Sequence, residues 1–186
     1  MTMPTILPRG TAMIAAMLVA CAAPPSASPP AAGHSAVLLR LPPATLGRNL
    51  ALQQTLVIDA AGQTRSVDVL LEADPEGVRL ALLSLGQTAA KLTWDGTELR
   101  ETRAAWWPAA VSGERILSDL QLVWWPVAEV RAALPPGWTL HETPNERSLT
   151  EGKELVSVVR YLSPTRVELE NLRSGYRLRI ESVSIP

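Results

Sequence analysis

The sequence has few of the residues that disulfide frameworks, metal sites and most catalytic centres require. Its 186 residues include one cysteine and two histidines, His34 and His141. A single cysteine excludes an internal disulfide, and the histidines lie far apart in the chain. A Gly-x-Ser-x-Gly elbow and a phosphate-binding glycine loop are also missing. We therefore expect no catalytic residue, no cofactor and no metal.

The sequence also has no large excess of positive or negative charge and no long apolar run. The 17 basic and 18 acidic side chains nearly balance, and without a cationic stripe nucleic acid is not an expected partner. The apolar run at residues 11–20 is shorter than the roughly 20 residues that a membrane-spanning helix needs. Arg9 precedes this run and small residues end it, which is typical of a secretory signal peptide.

The only cysteine, Cys21, directly follows Leu18, Val19 and Ala20, and this ending resembles a bacterial lipobox. A secreted protein with an unpaired cysteine needs a reason for it, and acylation of Cys21 supplies one. The alternatives are an ordinary signal peptide with a stray cysteine, or an unprocessed apolar N-terminus. Ala22 follows the cysteine, and resemblance to lipoproteins of double-membrane bacteria then implies anchoring in the outer membrane, on its periplasmic face.

Composition divides the chain into three parts. Residues 1–20 are the predicted lipoprotein signal peptide. Residues 21–35 are the lipidated cysteine and a tether of Ala, Pro, Ser, Gly and His, whose paired prolines favour extended conformations. Residues 36–186 are long enough for one hydrophobic core, and we expect them to form a single monomeric domain.

The domain is predicted to be mainly β, because from Val37 onwards apolar residues tend to recur at every second position. Turn signals such as Asp74-Pro75-Glu76-Gly77 separate these segments. In the middle, Ser112 begins a predicted helix that Pro126 ends, and a second short helix follows. A shift in the apolar pattern between Ile180 and Val183 predicts a β-bulge. The expected fold is a curved antiparallel sheet, forming an open half-barrel lidded by two short helices.

Aromatic residues are unevenly represented, with six tryptophans, two tyrosines and no phenylalanine. Four of the tryptophans form the pairs 106–107 and 124–125, and in such a pair one ring tends to face away from the core. Core filling is the more ordinary explanation for Trp94 and Trp124. For Trp106 and Trp107, a position at a cavity mouth or in a membrane-facing loop has about the same weight as packing in the core. The candidate residues for an apolar cleft are Leu82, Leu92, Trp94, Trp106, Trp107, Leu120, Trp124, Tyr161 and Tyr176.

Several segments resemble known lipoproteins. Leu80–Gly86, the hairpin after it and Trp125-Pro126-Val127 before the second helix are similar to LolB, within the LolA/LolB lipoprotein-localisation superfamily. Leu117–Pro126 and Asn171–Ile180 resemble an uncharacterised lipoprotein family that is often encoded beside aryl-polyene synthesis genes. The resemblance implies a half-barrel whose concave apolar face accepts acyl chains. It also implies that Leu85, before Gly86, enters the membrane, although Ser84 replaces the usual proline.

These observations favour a non-enzymatic, outer-membrane lipoprotein that receives or positions an acyl-bearing ligand, such as a lipid, a polyene lipid or a lipoprotein. A curved sheet of this length has more inward apolar positions than two short helices cover, and the surplus needs a ligand or a partner. A periplasmic carrier protein is a possible donor. Two alternatives stay open: an assembly lipoprotein that docks a periplasmic protein, and an acyl-processing enzyme that uses His141 with an unidentified serine.

Overall fold

The computed structural model describes residues 36–108 and 111–185. The predicted signal peptide, Cys21 and the tether lie outside the described residues. The described strands, in chain order, are β1 (Leu50–Ala60), β2 (Gln63–Asp74), β3 (Gly77–Ser84), β4 (Gln87–Trp94), β5 (Leu99–Arg103), β6 (Trp138–Thr143), β7 (Glu146–Glu151), β8 (Glu154–Ser163), β9 (Arg166–Asn171) and β10 (Tyr176–Ser184). Two helices, α1 (Gly113–Trp124) and α2 (Val127–Ala133), lie between β5 and β6.

The ten strands form one antiparallel sheet in the order β5-β4-β3-β2-β1-β10-β9-β8-β7-β6. Each half of the chain is a meander of hairpins, and the pairing of β1 with β10 joins the two halves at the centre. The sheet is curved and open. Because β5 and β6 lie at opposite edges, the two helices connect one edge of the sheet to the other. The predicted fold class is confirmed.

Alternation of apolar and polar residues determines which face of the sheet is buried. In β2, Val67, Val69 and Leu71 are buried, while the intervening residues are exposed. β1 follows the same period, with Leu52 buried between exposed neighbours. The concave face therefore carries the apolar side chains and the outer face the charged ones, as expected for a sheet with one covered face.

The helices begin and end where the sequence indicates. The Ser112 hydroxyl accepts a hydrogen bond from the Arg115 backbone N–H at 3.3 Å, which caps the first turn of α1. Pro126 separates α1 from α2, whose Val130 is fully buried. No helix in the described ranges is both long and apolar enough to cross a membrane.

The segment before β1 differs from the prediction, because residues 36–49 form no strand and include only a short 3₁₀ helix, Pro43–Leu46. This segment runs alongside α1. The Leu41 N–H donates to Gln121 Oε1 at 2.9 Å, and Gln121 Nε2 donates back to the Leu41 carbonyl at 2.9 Å. Gln121 is fully buried, so these bonds satisfy an amide that would otherwise be costly to bury.

The predicted bulge in β10 is wrong. β10 pairs with β1 and β9 without a shift of register. The apolar pattern breaks because Ser182 occupies an inward position, where its hydroxyl accepts a hydrogen bond from Gln54 Nε2 at 2.9 Å. Val183 consequently faces solvent. The apolar pattern of β10 does change after Ile180, but the cause is the buried pair of Gln54 and Ser182 and not a β-bulge.

Candidate functional site

A cavity of about 520 Å³ lies between the concave face of the sheet and α1. Pockets that hold small molecules have volumes of roughly 300–1,000 Å³. Strands β1, β2, β3, β9 and β10 supply its floor, and α1 supplies its roof. The space is therefore bounded by regular secondary structure on both sides.

Most of the cavity wall is aliphatic or aromatic. The floor includes Leu56, Ile58, Leu82, Leu178 and Ile180. The roof includes Ile116, Leu120, Val123 and Trp124. These positions follow from the period-two pattern of the strands and from the apolar stripe of α1. The arrangement suits an apolar chain.

One part of the cavity is polar. Tyr176, the first residue of β10, donates its hydroxyl proton to Asp119 Oδ2 at 2.6 Å, and Asn171 Nδ2 lies 3.4 Å from the same hydroxyl. Arg115, Asp119 and Tyr176 all line the cavity. Arg115 and Asp119 are four residues apart in α1, so they lie on one side of the helix.

Burial raises the pKa of both acidic groups in this polar cluster, Asp119 and Tyr176. Burial raises the pKa of Asp119 to about 6, although the hydrogen bond from Tyr176 and the charge of Arg115 act to lower it. Burial and the neighbouring Asp119 both raise the pKa of Tyr176 above its usual range. Tyr176 is thus a neutral hydrogen-bond donor at physiological pH. Asp119 titrates at about pH 6, close to physiological pH.

We expect Asp119→Asn to flatten the pH dependence of stability. The ordinary carboxyl pKa is 3.8, so between 3.8 and about 6 the folded state binds more protons than the unfolded state. The free energy of unfolding therefore falls as pH rises through this window. Asparagine cannot ionise but still offers Tyr176 an oxygen, so the variant should be the more stable protein above pH 6. Urea denaturation across the window measures this, and parallel profiles for variant and wild type would contradict it.

Five of the nine cleft candidates are brought together at the cavity. Leu82, Trp107, Leu120, Trp124 and Tyr176 all line it. Arg48 lies over the Trp124 ring, with its Cζ 5.9 Å from the ring centroid. Trp107 has a buried Nε1–H without a hydrogen-bond partner among the described residues.

The other four candidates lie elsewhere. Leu92 and Trp94 are buried under the segment before β1 and the start of α1, and Trp94 Nε1 donates to the Leu41 carbonyl at 2.8 Å. A side chain at Gly113 would have its Cβ only 2.9 Å from Leu92 Cδ2, so α1 begins directly against this leucine. Trp106 is exposed and contacts Trp107 edge to face, with ring centroids 6.3 Å apart.

Tyr161 has a structural role at the C-terminal end of α1. Its hydroxyl donates to the Val123 carbonyl at 2.8 Å. Arg147 lies over its ring and donates to the Leu122 carbonyl at 2.9 Å and the Trp125 carbonyl at 2.7 Å. The last carbonyls of a helix lack partners within the helix, and these side chains supply them. The aromatic count alone could not distinguish this role from cavity lining.

Leu85, the predicted membrane-loop residue, lies between β3 and β4. It is fully exposed and has a φ of 51°. A non-glycine residue with this left-handed backbone is uncommon, and a large exposed leucine there is not explained by stability.

His141, the residue of the enzymatic alternative, lies on the exposed part of β6 and does not line the cavity. In the described ranges, no group of three or more His, Cys, Asp or Glu side chains could hold a metal ion. Residue patterns did not single out Arg115, Asp119 or Asn171. For Arg115 and Asp119, the only available signal was their polarity beside the apolar stripe of α1, and Asn171 is the last residue of β9.

Comparison with curated proteins finds no significant match. Among solved structures, the crystal structure of a DUF1329 family protein from Desulfovibrio piger is similar over 76% of this chain and 87% of that chain, with 11% sequence identity and a TM-score of 0.38. A family model described as "Protein of unknown function (DUF3261)" matches residues 51–184, which include the whole described sheet except Leu50, the first residue of β1. The chain therefore belongs to the DUF3261 family.

Proposed function

We propose that this protein is a non-enzymatic lipid-binding protein that holds an acyl or polyene chain in the cavity between the sheet and α1. The observation that carries the proposal is a cavity of about 520 Å³ with a largely aliphatic and aromatic wall. Each methylene removed from water contributes about 0.8 kcal/mol. A ten-carbon chain would thus supply on the order of 8 kcal/mol before the costs of binding are subtracted.

The size of the cavity supports a ligand over imperfect packing. Protein interiors are close-packed and contain few voids larger than a water molecule. Away from the cavity, the described core includes the fully buried side chains of Leu71, Val78 and Trp125. A space of this volume beside such a core costs stability, and ligand binding gives a reason for its retention.

Native mass spectrometry with lipid extraction tests the proposal. The sample is the full chain with Cys21→Ser, purified without detergent from the soluble fraction of the cell envelope. A bound acyl or polyene species at one copy per chain is the expected result. An empty cavity together with one stoichiometric protein partner would overturn it and favour an assembly protein that docks that partner.

We further propose that acylated Cys21 anchors the domain, as a monomer, to the periplasmic face of the outer membrane, and that the protein acts in lipid transport or localisation. A periplasmic carrier is then a candidate donor of the ligand. Cys21→Ser is expected to move the protein from the membrane fraction to the soluble fraction without changing its melting temperature. Fractionation followed by immunoblotting measures this, and an unchanged membrane pool would contradict the anchor.

Leu85 is proposed to enter the bilayer during ligand exchange. Leu85→Asn should weaken association of the Cys21→Ser chain with phospholipid vesicles, because a buried leucine side chain contributes about 1.5–3 kcal/mol. Stability should stay within about 0.5 kcal/mol of wild type, since asparagine tolerates the left-handed backbone. Vesicle flotation measures the association. Leu162→Asn, at another exposed leucine, is the matched control, and equal losses for both variants would contradict a specific role for Leu85.

A further inference from the structure

We propose that the ligand has an anionic head group, a carboxylate or a phosphate, which Arg115 binds at the polar part of the cavity. This inference rests on the proposed function, because it assigns the head group of the same ligand. It depends on three observations: Arg115 lines the cavity, it forms no ion pair within the described residues, and the neighbouring Asp119 has a raised pKa.

Arg115 is one of the residues that line the cavity. Of the described residues that line the cavity, Arg115 is the only cation, Asp119 the only acid and Tyr176 the only other titratable group. A ligand in the cavity therefore meets a single positive side chain, and this side chain lies beside the aliphatic wall. An amphiphile with its chain along that wall would bring its head group to this part of the site.

Arg115 forms no ion pair within the described residues, although its charge acts through space on Asp119 and Tyr176. Its guanidinium forms no ion pair and no side-chain hydrogen bond with another described residue, and it is only partly exposed. By contrast, Arg147, Arg160 and Arg173 each pair with one or more glutamates. Removing a guanidinium from water without a counter-charge costs free energy. A bound anion would offset that cost.

Helix stability does not explain Arg115 either. It lies in the first turn of α1, where the helix dipole favours acidic residues and disfavours basic ones. The acid of that turn, Glu114, pairs with Arg40 instead. The positive end of the α1 dipole and the guanidinium therefore act in the same direction on an anion in the cavity.

Asp119, the acid that lines the cavity with Arg115, has a hydrogen-bond partner of its own. Asp119 forms no ion pair with Arg115 and accepts the short hydrogen bond from Tyr176. Its raised pKa of about 6 means that burial already disfavours its charge, and a second anion nearby would disfavour it further. A bound anion would therefore raise the pKa of Asp119 further and replace this carboxylate as the counter-charge of Arg115.

The test compares three probes that share a ten-carbon chain and have a fixed charge: decanesulfonate, decanol and decyltrimethylammonium. Each is titrated calorimetrically, below its micellar concentration, into the delipidated Cys21→Ser chain. We expect the sulfonate to bind about tenfold more tightly than the ammonium, or better, which is the ordinary worth of a hydrogen bond to a charged group. Arg115→Gln should bring the ratio close to one, and Arg115→Lys should keep most of the preference.

The controls separate this inference from the function on which it rests. Arg65→Gln removes an exposed arginine of β2 that does not line the cavity, and it should leave all three affinities unchanged. Equal binding of sulfonate and ammonium, or a preference that survives Arg115→Gln, would overturn the head-group proposal while decanol binding still supports the apolar cavity. Failure of all three probes to bind would overturn both proposals.

Discussion

Replacement of Trp125 by alanine is expected to lower the free energy of unfolding by about 3–5 kcal/mol, a large share of the stability of a domain this size. The Trp125 ring is fully buried, and its Nε1–H lies 3.1 Å from Thr45 Oγ1 and 3.3 Å from the Pro42 carbonyl. The substitution would leave a large void and remove the hydrogen bonds that Trp125, directly after α1, makes to the segment before β1. Urea denaturation followed by circular dichroism measures the loss.

The adjacent tryptophan provides a matched control. Trp124 is only partly buried, lines the cavity and has Arg48 over its ring. Trp124→Ala should therefore cost less stability than Trp125→Ala, because it widens an existing space and creates no new void in the packed core. It should instead weaken ligand binding. Equal destabilisation by the two variants would contradict this division of roles.

In the sequence, the spacing of Ile116, Leu120 and Trp124 is that of an apolar stripe on one side of α1. This spacing does not predict whether Trp125 faces the core or the solvent. That limit has a physical cause. α1 ends at Trp124, and Trp125 has an extended backbone with φ −74° and ψ 151°. Once the chain leaves helical geometry, the period of 3.6 residues no longer predicts a direction. The more deeply buried ring was therefore the one that the pattern could not place.

Alternation and turn signals were sufficient to predict the curved sheet and its two helices, but they do not reveal what covers each part of the concave face. Leu92 and Trp94 show the same period-two pattern as Leu56 and Ile58. The first two pack beneath the segment before β1, whereas the second two line the cavity. The distinction depends on contacts such as Leu41 with Gln121, between residues 80 positions apart. No local pattern encodes such a contact.

The polar cluster was missed for a similar reason. Arg115 and Asp119 lie beside the apolar stripe of α1, where charged residues ordinarily face solvent. They face a cavity here because the start of β10 brings Tyr176 against Asp119, 57 residues later in the chain. Leu85 was predicted only from the resemblance to LolB; its full exposure between β3 and β4 is observed, and its role in the membrane stays a prediction.

Ala60→Trp is expected to reduce binding of acyl ligands by about a hundredfold. Ala60 is the last residue of β1 and lines the cavity, so an indole there would occupy space that the ligand chain needs. Displacement of three or four methylenes at about 0.8 kcal/mol each corresponds to that loss of affinity. Calorimetric titration with decanol and native mass spectrometry of the Cys21→Ser chain both measure it.

Ala51→Trp is the matched control, because Ala51 lies on the exposed face of the same strand. It should bind decanol as the wild type does. Ala60→Trp should also keep the wild-type melting temperature, since the indole fills empty volume and displaces no packed side chain. Full decanol affinity in a folded Ala60→Trp variant would mean that the ligand binds elsewhere. Loss of binding in Ala60→Trp alone would place the ligand chain inside the cavity, between the floor formed by β1 and the roof formed by α1.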